Sequence, residues 1–175
     1  MRMVNDIKKK EIQDLLSKGW LTHDTMWLYQ TAKEFGMEKA SELNRAAVKS
    51  MSVIEMERLK RILGVEHPIE NLAQLQEFLL AALELIMPYS VFNKWRINIT
   101  HKNILHWRWE NDECFAYKGL KRMGLLDGYE CNIIHRIECW FDVLGIKYNT
   151  NPKVEKCMMH EKAYCHGDFE FFFDD

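Results

Sequence analysis

Four potential soft-metal ligands fall in the last third of the chain: Cys131 and His135, then Cys157 and Cys165 in a C-x7-C pair. Thiolate sulfur and imidazole nitrogen are the donors that tetrahedral zinc prefers, and residues at i and i+4 of a helix reach one ion from adjacent turns. A Cys/His pair on a helix, closed by an opposing cysteine pair, leaves no open coordination position. That is the form of a structural ion, not a catalytic one, and such a site contributes on the order of 10 kcal/mol to folding in zinc peptides. His160, His166 and Glu155 are close enough in sequence to stand in for His135. Three protein ligands plus water would turn the same cluster into a Lewis-acid or hydroxide-generating site. Without a metal, Cys157 and Cys165 are ordinary buried thiols and His135 is exposed.

The spacing from Cys131 to Cys157 and on to Cys165 resembles the zinc-binding cysteines of the 4-vinyl-reductase domain, an α+β module that binds small molecules. In that family a glutamate lies three residues before the middle cysteine; here that position is Val154, with Glu155 one place later. The chain as a whole is similar to uncharacterised cytosolic proteins of bacteria and archaea that share the Trp20-Leu21-Thr22-His23-Asp24 start. More distantly it resembles the thiazoline-carboxylate hydrolase-like family, which has comparable C-terminal cysteines. The first resemblance implies a zinc ion and a small-molecule ligand, the last a hydrolase of a small carboxylate or cyclic C-N substrate.

Other residues could do chemistry. Cys114 begins a predicted helix, where free N–H groups and the helix dipole could lower its pKa and make it a nucleophile; packing or capping is the alternative. His23 and Asp24 are adjacent at a predicted cap, a position from which two side chains rarely converge. Asn44, Glu55 and Arg58 occupy positions that the apolar period of their helix assigns to the core. A buried carboxylate is costly unless paired, so Glu55 is expected to meet Arg58, Arg45 or a partner on another helix, or to project into a cavity. Trp95, Trp107 and Trp109 with His106 could wall such a cavity, since small-molecule sites combine apolar walls with a few polar groups. The expected pocket is therefore Asn44, Glu55, Trp95, His106 and Trp107.

The elements that must position these residues follow from hydrophobic period. A helix is expected from Asp6 to about Ser17, stopped by Gly19, and a second from the Asp24 cap to Gly36. A third runs from Glu38 to Leu63 on the period of Ala40, Leu43, Ala47, Met51, Ile54, Leu59 and Ile62. Asn71 or Pro68 opens a fourth, which Pro88 ends. The period then changes to two through Val91, Trp95, Ile97 and Ile99, and His101 to Asn103 turn the chain into a second strand, Ile104 to Glu110. Helices are expected over Glu113 to Met123 and Glu130 to Leu144. Asn149 to Pro152 reads as a turn, followed by strands at Val154 to Met159 and Asp168 to Phe173. On the wheel of the Glu130 to Leu144 helix, Cys131 and His135 lie off the sector of Ile134, Ile137, Trp140 and Phe141, so the C-terminal strands should cover them.

The sum is α+β: N-terminal helices (1–88), then a hairpin, helices and a strand pair (89–175) around an antiparallel sheet, in a single domain. Over 175 residues, 47% are hydrophobic and the net charge is -2, which gives no electrostatic footprint for nucleic acid. No stretch has the apolar length of a membrane span and no apolar leader opens the chain, so a cytoplasmic protein is expected. Five cysteines without a secretory signal read as thiols or metal ligands. Walker, G-x-G-x-x-G, G-x-S-x-G and H-E-x-x-H motifs are missing, which removes the usual support for nucleotide, serine-hydrolase and zincin chemistry. The reading is a small-molecule-binding or sensing protein with a structural zinc. A small hydrolase and a homodimeric interaction protein are the alternatives.

Overall fold

The computed structural model describes residues 3–173. After a short 3-10 turn at Val4–Asp6, two 27-residue helices, α1 (Lys9–Phe35) and α2 (Met37–Leu63), are joined at Gly36 and pack on each other. Gly36 has φ +84°, a conformation that side-chain-bearing residues rarely adopt, and it reverses the chain in a single step. The two separate helices expected before Gly36 are one. Gly19 lies inside α1, and the hydroxyls of Thr22 and Thr25 bond back to the carbonyls of Lys18 and Leu21, so the expected Asp24 cap is mid-helix. An interior glycine costs about 1 kcal/mol, which does not by itself break a long helix packed on a partner.

Helix α3 (Leu72–Ile86) starts where Asn71 Oδ1 accepts the Gln74 N–H at 3.0 Å and stops ahead of Pro88. Its apolar arc is wide: Leu72, Leu75, Phe78, Leu79, Ala82 and Leu83 are all buried. A single-turn α4 (Tyr89–Phe92) leads to the hairpin of β1 (Trp95–His101) and β2 (Ile104–Trp109). Then come α5 (Phe115–Met123), α6 (Asn132–Leu144), β3 (Lys147–Asn151), α7 (Met158–Lys162) and β4 (His166–Phe172). The sheet is antiparallel in the order β1-β2-β4-β3, so the fold is α+β as expected.

Alternation gives the sheet two unlike faces. Trp95, Ile97, Leu105, Trp107, Trp109, Gly167, Phe169 and Phe171 are buried, whereas Arg96, Asn98, Arg108 and Glu170 on the opposite pleat are exposed. Phe141 of α6 meets Phe169 and Phe171 edge-on at 5.0 and 4.9 Å, and α3 lies across β1 and β2. Helix α2 packs on α6 from the other side, with α1 outermost. Helix α1 buries only Leu28.

Two expectations near the C-terminus are corrected. Lys147–Asn151, expected in part as a turn, is the edge strand β3; its sequence KYNTN is polar and offers no apolar alternation to read. The strand expected over Val154 to Met159 is replaced by an irregular segment with one bridge, Lys156 to Glu130, and by α7. Pro152 ends β3 because it has no N–H to give to a ladder.

Candidate functional site

Three cysteines stand at helix N-caps: Cys114 before α5, Cys131 before α6 and Cys157 before α7. None of the three side chains makes a capping hydrogen bond, though the backbone N–H groups of the turn each one opens favour its thiolate electrostatically. The fourth, Cys165, directly precedes β4, and its carbonyl receives the Trp109 N–H at 2.9 Å, which ties it to the end of β2. The Cys131 N–H donates to the Glu155 carbonyl at 2.9 Å beside the Glu130–Lys156 bridge, so the start of α6 is laced to the segment that carries Cys157.

All four are buried, and charge on one is felt by others of the four. Burial raises the Cys165 thiol first, followed by the charges of Cys131, Cys114 and Cys157. Burial likewise pushes Cys114 up to about 12, with Cys131 and Cys157 adding to it, and Cys131 up to about 11. The Tyr129 hydroxyl belongs to the same neighbourhood: it accepts the Asn132 N–H at 3.2 Å, and burial, then Cys131, raises its pKa. Asn132 beside it is buried, and neither its Nδ2 nor its Oδ1 has a partner among the described residues.

Two points depart from the sequence reading. His135 does not join the thiols. Because α6 begins at Asn132, Cys131 is a cap and not a helical neighbour of His135, whose imidazole lies 3.6 Å from Cys139 with its pKa lowered by burial and by Arg45. The other candidates are engaged elsewhere: His160 with Asp127 at 3.1 Å, Glu155 with Lys153 at 2.8 Å, and His166 stacked on Tyr164. Cys114 is the further cysteine whose charge reaches Cys165, alongside Cys131 and Cys157. Its pKa moves opposite to the nucleophile expectation, since desolvation outweighs the helix-start N–H groups. Among the described residues no group of three or more His, Cys, Asp or Glu side chains is arranged to hold a metal ion. Thiols, once deprotonated, are donors suited to a soft cation.

The residues expected to line a pocket are dispersed. Trp95 and Trp107 are core on the inner sheet face, while His106 is on the outer face, 2.8 Å from Asp168. Asn44 is half-buried on α2, roughly three turns from Glu55. Glu55 alone opens on a cavity, a groove of about 670 Å³ between α1, α2, α3 and α6. Its apolar walls include Leu16, Trp20, Ile54, Leu59, Ile62 and Ile86, and its polar groups include Glu55, Arg58 and Arg136. Glu55 Oε2 accepts Arg136 Nε and Trp140 Nε1, each at 2.9 Å, and Oε1 accepts Arg136 Nη2. The Arg136 guanidinium also lies over Trp20, 4.7 Å from the ring centre. Arg136 went unnoticed in the sequence. Its one signal is a lone cation on an otherwise apolar stretch of helix.

A model of a family of unknown function, DUF6125, matches residues 5–171. The chain belongs to that family. No curated protein and no solved structure matches it. Among the described residues of this DUF6125 member no helix is long and apolar enough to cross a membrane.

Proposed function

We propose that the chain is a small-molecule-binding module whose C-terminal half is braced by a structural zinc ion on Cys114, Cys131, Cys157 and Cys165. The groove at Glu55 carries the binding part of this reading. Its volume is that of ordinary ligand sites, and its apolar walls surround a few fixed polar groups, the composition such sites use. The zinc part is supported by four buried cysteines from four places in the chain that influence one another electrostatically, three of them at helix starts. Four cysteines would leave no open position, so the ion would hold the fold and take no part in chemistry. The cysteine spacing shared with the 4-vinyl-reductase domain agrees, and reduced thiols suit a cytoplasmic location.

Elemental analysis of purified protein should give about one zinc per chain. Cys114→Ser should lose it, while His135→Ala keeps it. A strong chelator should lower Tm by more than about 10 °C, as expected of an ion contributing several kcal/mol to folding. Metal-free protein of unchanged Tm would end the zinc reading, and retention of zinc by Cys114→Ser with loss in His135→Ala would reassign the ligands.

A second reading, homodimerisation, has its own observation. Leu15, Trp27 and Phe35 of α1 are each about two-thirds exposed, an apolar surface of the kind interfaces use. Sedimentation at low concentration decides it.

A further inference from the structure

The groove has a charge as well as a shape. Residues four apart on α2 form two adjacent stripes: Met51, Glu55 and Leu59 along the floor, Ile54, Arg58 and Ile62 along the rim. On the floor the carboxylate is saturated, because Glu55 holds Arg136 through both oxygens and Trp140 through one. Glu55 and Arg136 are each only 15% exposed, so this pair is a fixed, neutral wall. On the rim Arg58 stands between two isoleucines with no ion pair or hydrogen bond among the described residues. Among the lining residues one carboxylate and two guanidiniums sum to one positive unit, and with the Asp24 carboxyl also acting on Arg136 the cation left unmatched is Arg58.

We infer that the groove binds an amphipathic monoanion, an apolar body of aliphatic or aromatic carbon ending in a single carboxylate, with Arg58 as the partner of the carboxylate. This inference rests on the small-molecule reading above and names its ligand class. The apolar walls would take the body by burial, and a guanidinium offers paired N–H donors that match a carboxylate. A dianion would exceed the one unmatched charge, and a cation would meet Arg58 with the Glu55 carboxylate already occupied. Walls from α1, α2 and α3 fit a free molecule better than a membrane surface.

Calorimetric titration of the full chain with decanoate, decan-1-ol and decyltrimethylammonium, all below micellar concentration, tests this. Decanoate should bind at least tenfold more tightly than decan-1-ol, weaken with added salt, and fall to the decan-1-ol level in Arg58→Gln. The ammonium probe should bind most weakly. Ile54→Glu, at a half-exposed position, should abolish binding of both decanoate and decan-1-ol and so locate it. Equal binding of decanoate and decan-1-ol, both sensitive to Ile54→Glu, would overturn the anion inference and leave the small-molecule reading standing. If no probe binds, or if binding ignores both substitutions, the groove is not the site and both readings fail.

Discussion

Glu138 shows what a half-buried carboxyl does when its one strong partner is neutral. Burial raises its pKa above the usual carboxylate range, and the Thr150 hydroxyl, which donates to Oε1 at 2.7 Å, offsets only part of that. With the folded pKa above the unfolded one, the stability associated with the protonated form is complete below the unfolded pKa and is lost as pH rises through the folded pKa. Glu138→Gln keeps an oxygen for Thr150 and never ionises. It should therefore exceed the parent in Tm by about 1–2 °C at neutral pH, given partial solvent screening, and match it below about pH 4. Thermal unfolding at the two pH values checks this, and a variant less stable than the parent at neutral pH would contradict it. At this same scale, Cys131, Cys157 and Cys165 could be picked out by spacing because they lie within thirty-five residues of one another. Cys114 could not. Its nearness to the others depends on where α5 starts relative to α6, and no local pattern encodes that. The direction of its pKa was also beyond reach, since helix-start N–H groups are readable in a sequence and depth of burial is not.

At the level of the elements, the cross-strand pair Trp107 and Gly167 sets how β2 and β4 meet. A Cβ at position 167 would come within 2.8 Å of the Trp107 ring and of the Asn151 carbonyl on β3, and 3.1 Å of Pro152. Two of those neighbours are backbone or ring and cannot yield without shifting a strand. Gly167→Ala should accordingly destabilise by about 2 kcal/mol, lowering Tm by roughly 4–8 °C, with the loss visible in the denaturant midpoint at unchanged slope. A neutral substitution would mean that the edge strand moves freely. The elements legible in sequence were those with strong period: α2, α3, the hairpin and α6. Those that escaped had none. β3 is a polar edge strand, and α7 is a five-residue helix opened by a cysteine, not by one of the common capping residues. The merging of two expected helices into α1 shows that one interior glycine does not end a helix that packs on α2.

In the whole molecule, the N-terminal helices and the C-terminal half share their interior. Glu55 of α2 is the acceptor for both Arg136 and Trp140 of α6, and Trp140 is fully buried. Met56 and Leu59 belong to the same apolar cluster as Ile134, Trp140 and Phe141. Cutting the chain at Pro88 would uncover that face of α6 and leave Arg136 without its carboxylate and the Trp140 N–H without an acceptor, losses of several kcal/mol against a total stability of about 5–15. Residues 89–175 expressed alone should therefore fail to fold cooperatively even with zinc supplied, showing a non-cooperative melt and weak dispersion of amide resonances. A sharp transition with metal bound would instead mean that the C-terminal half forms an independent unit, to which the helical layer adds the walls of the groove.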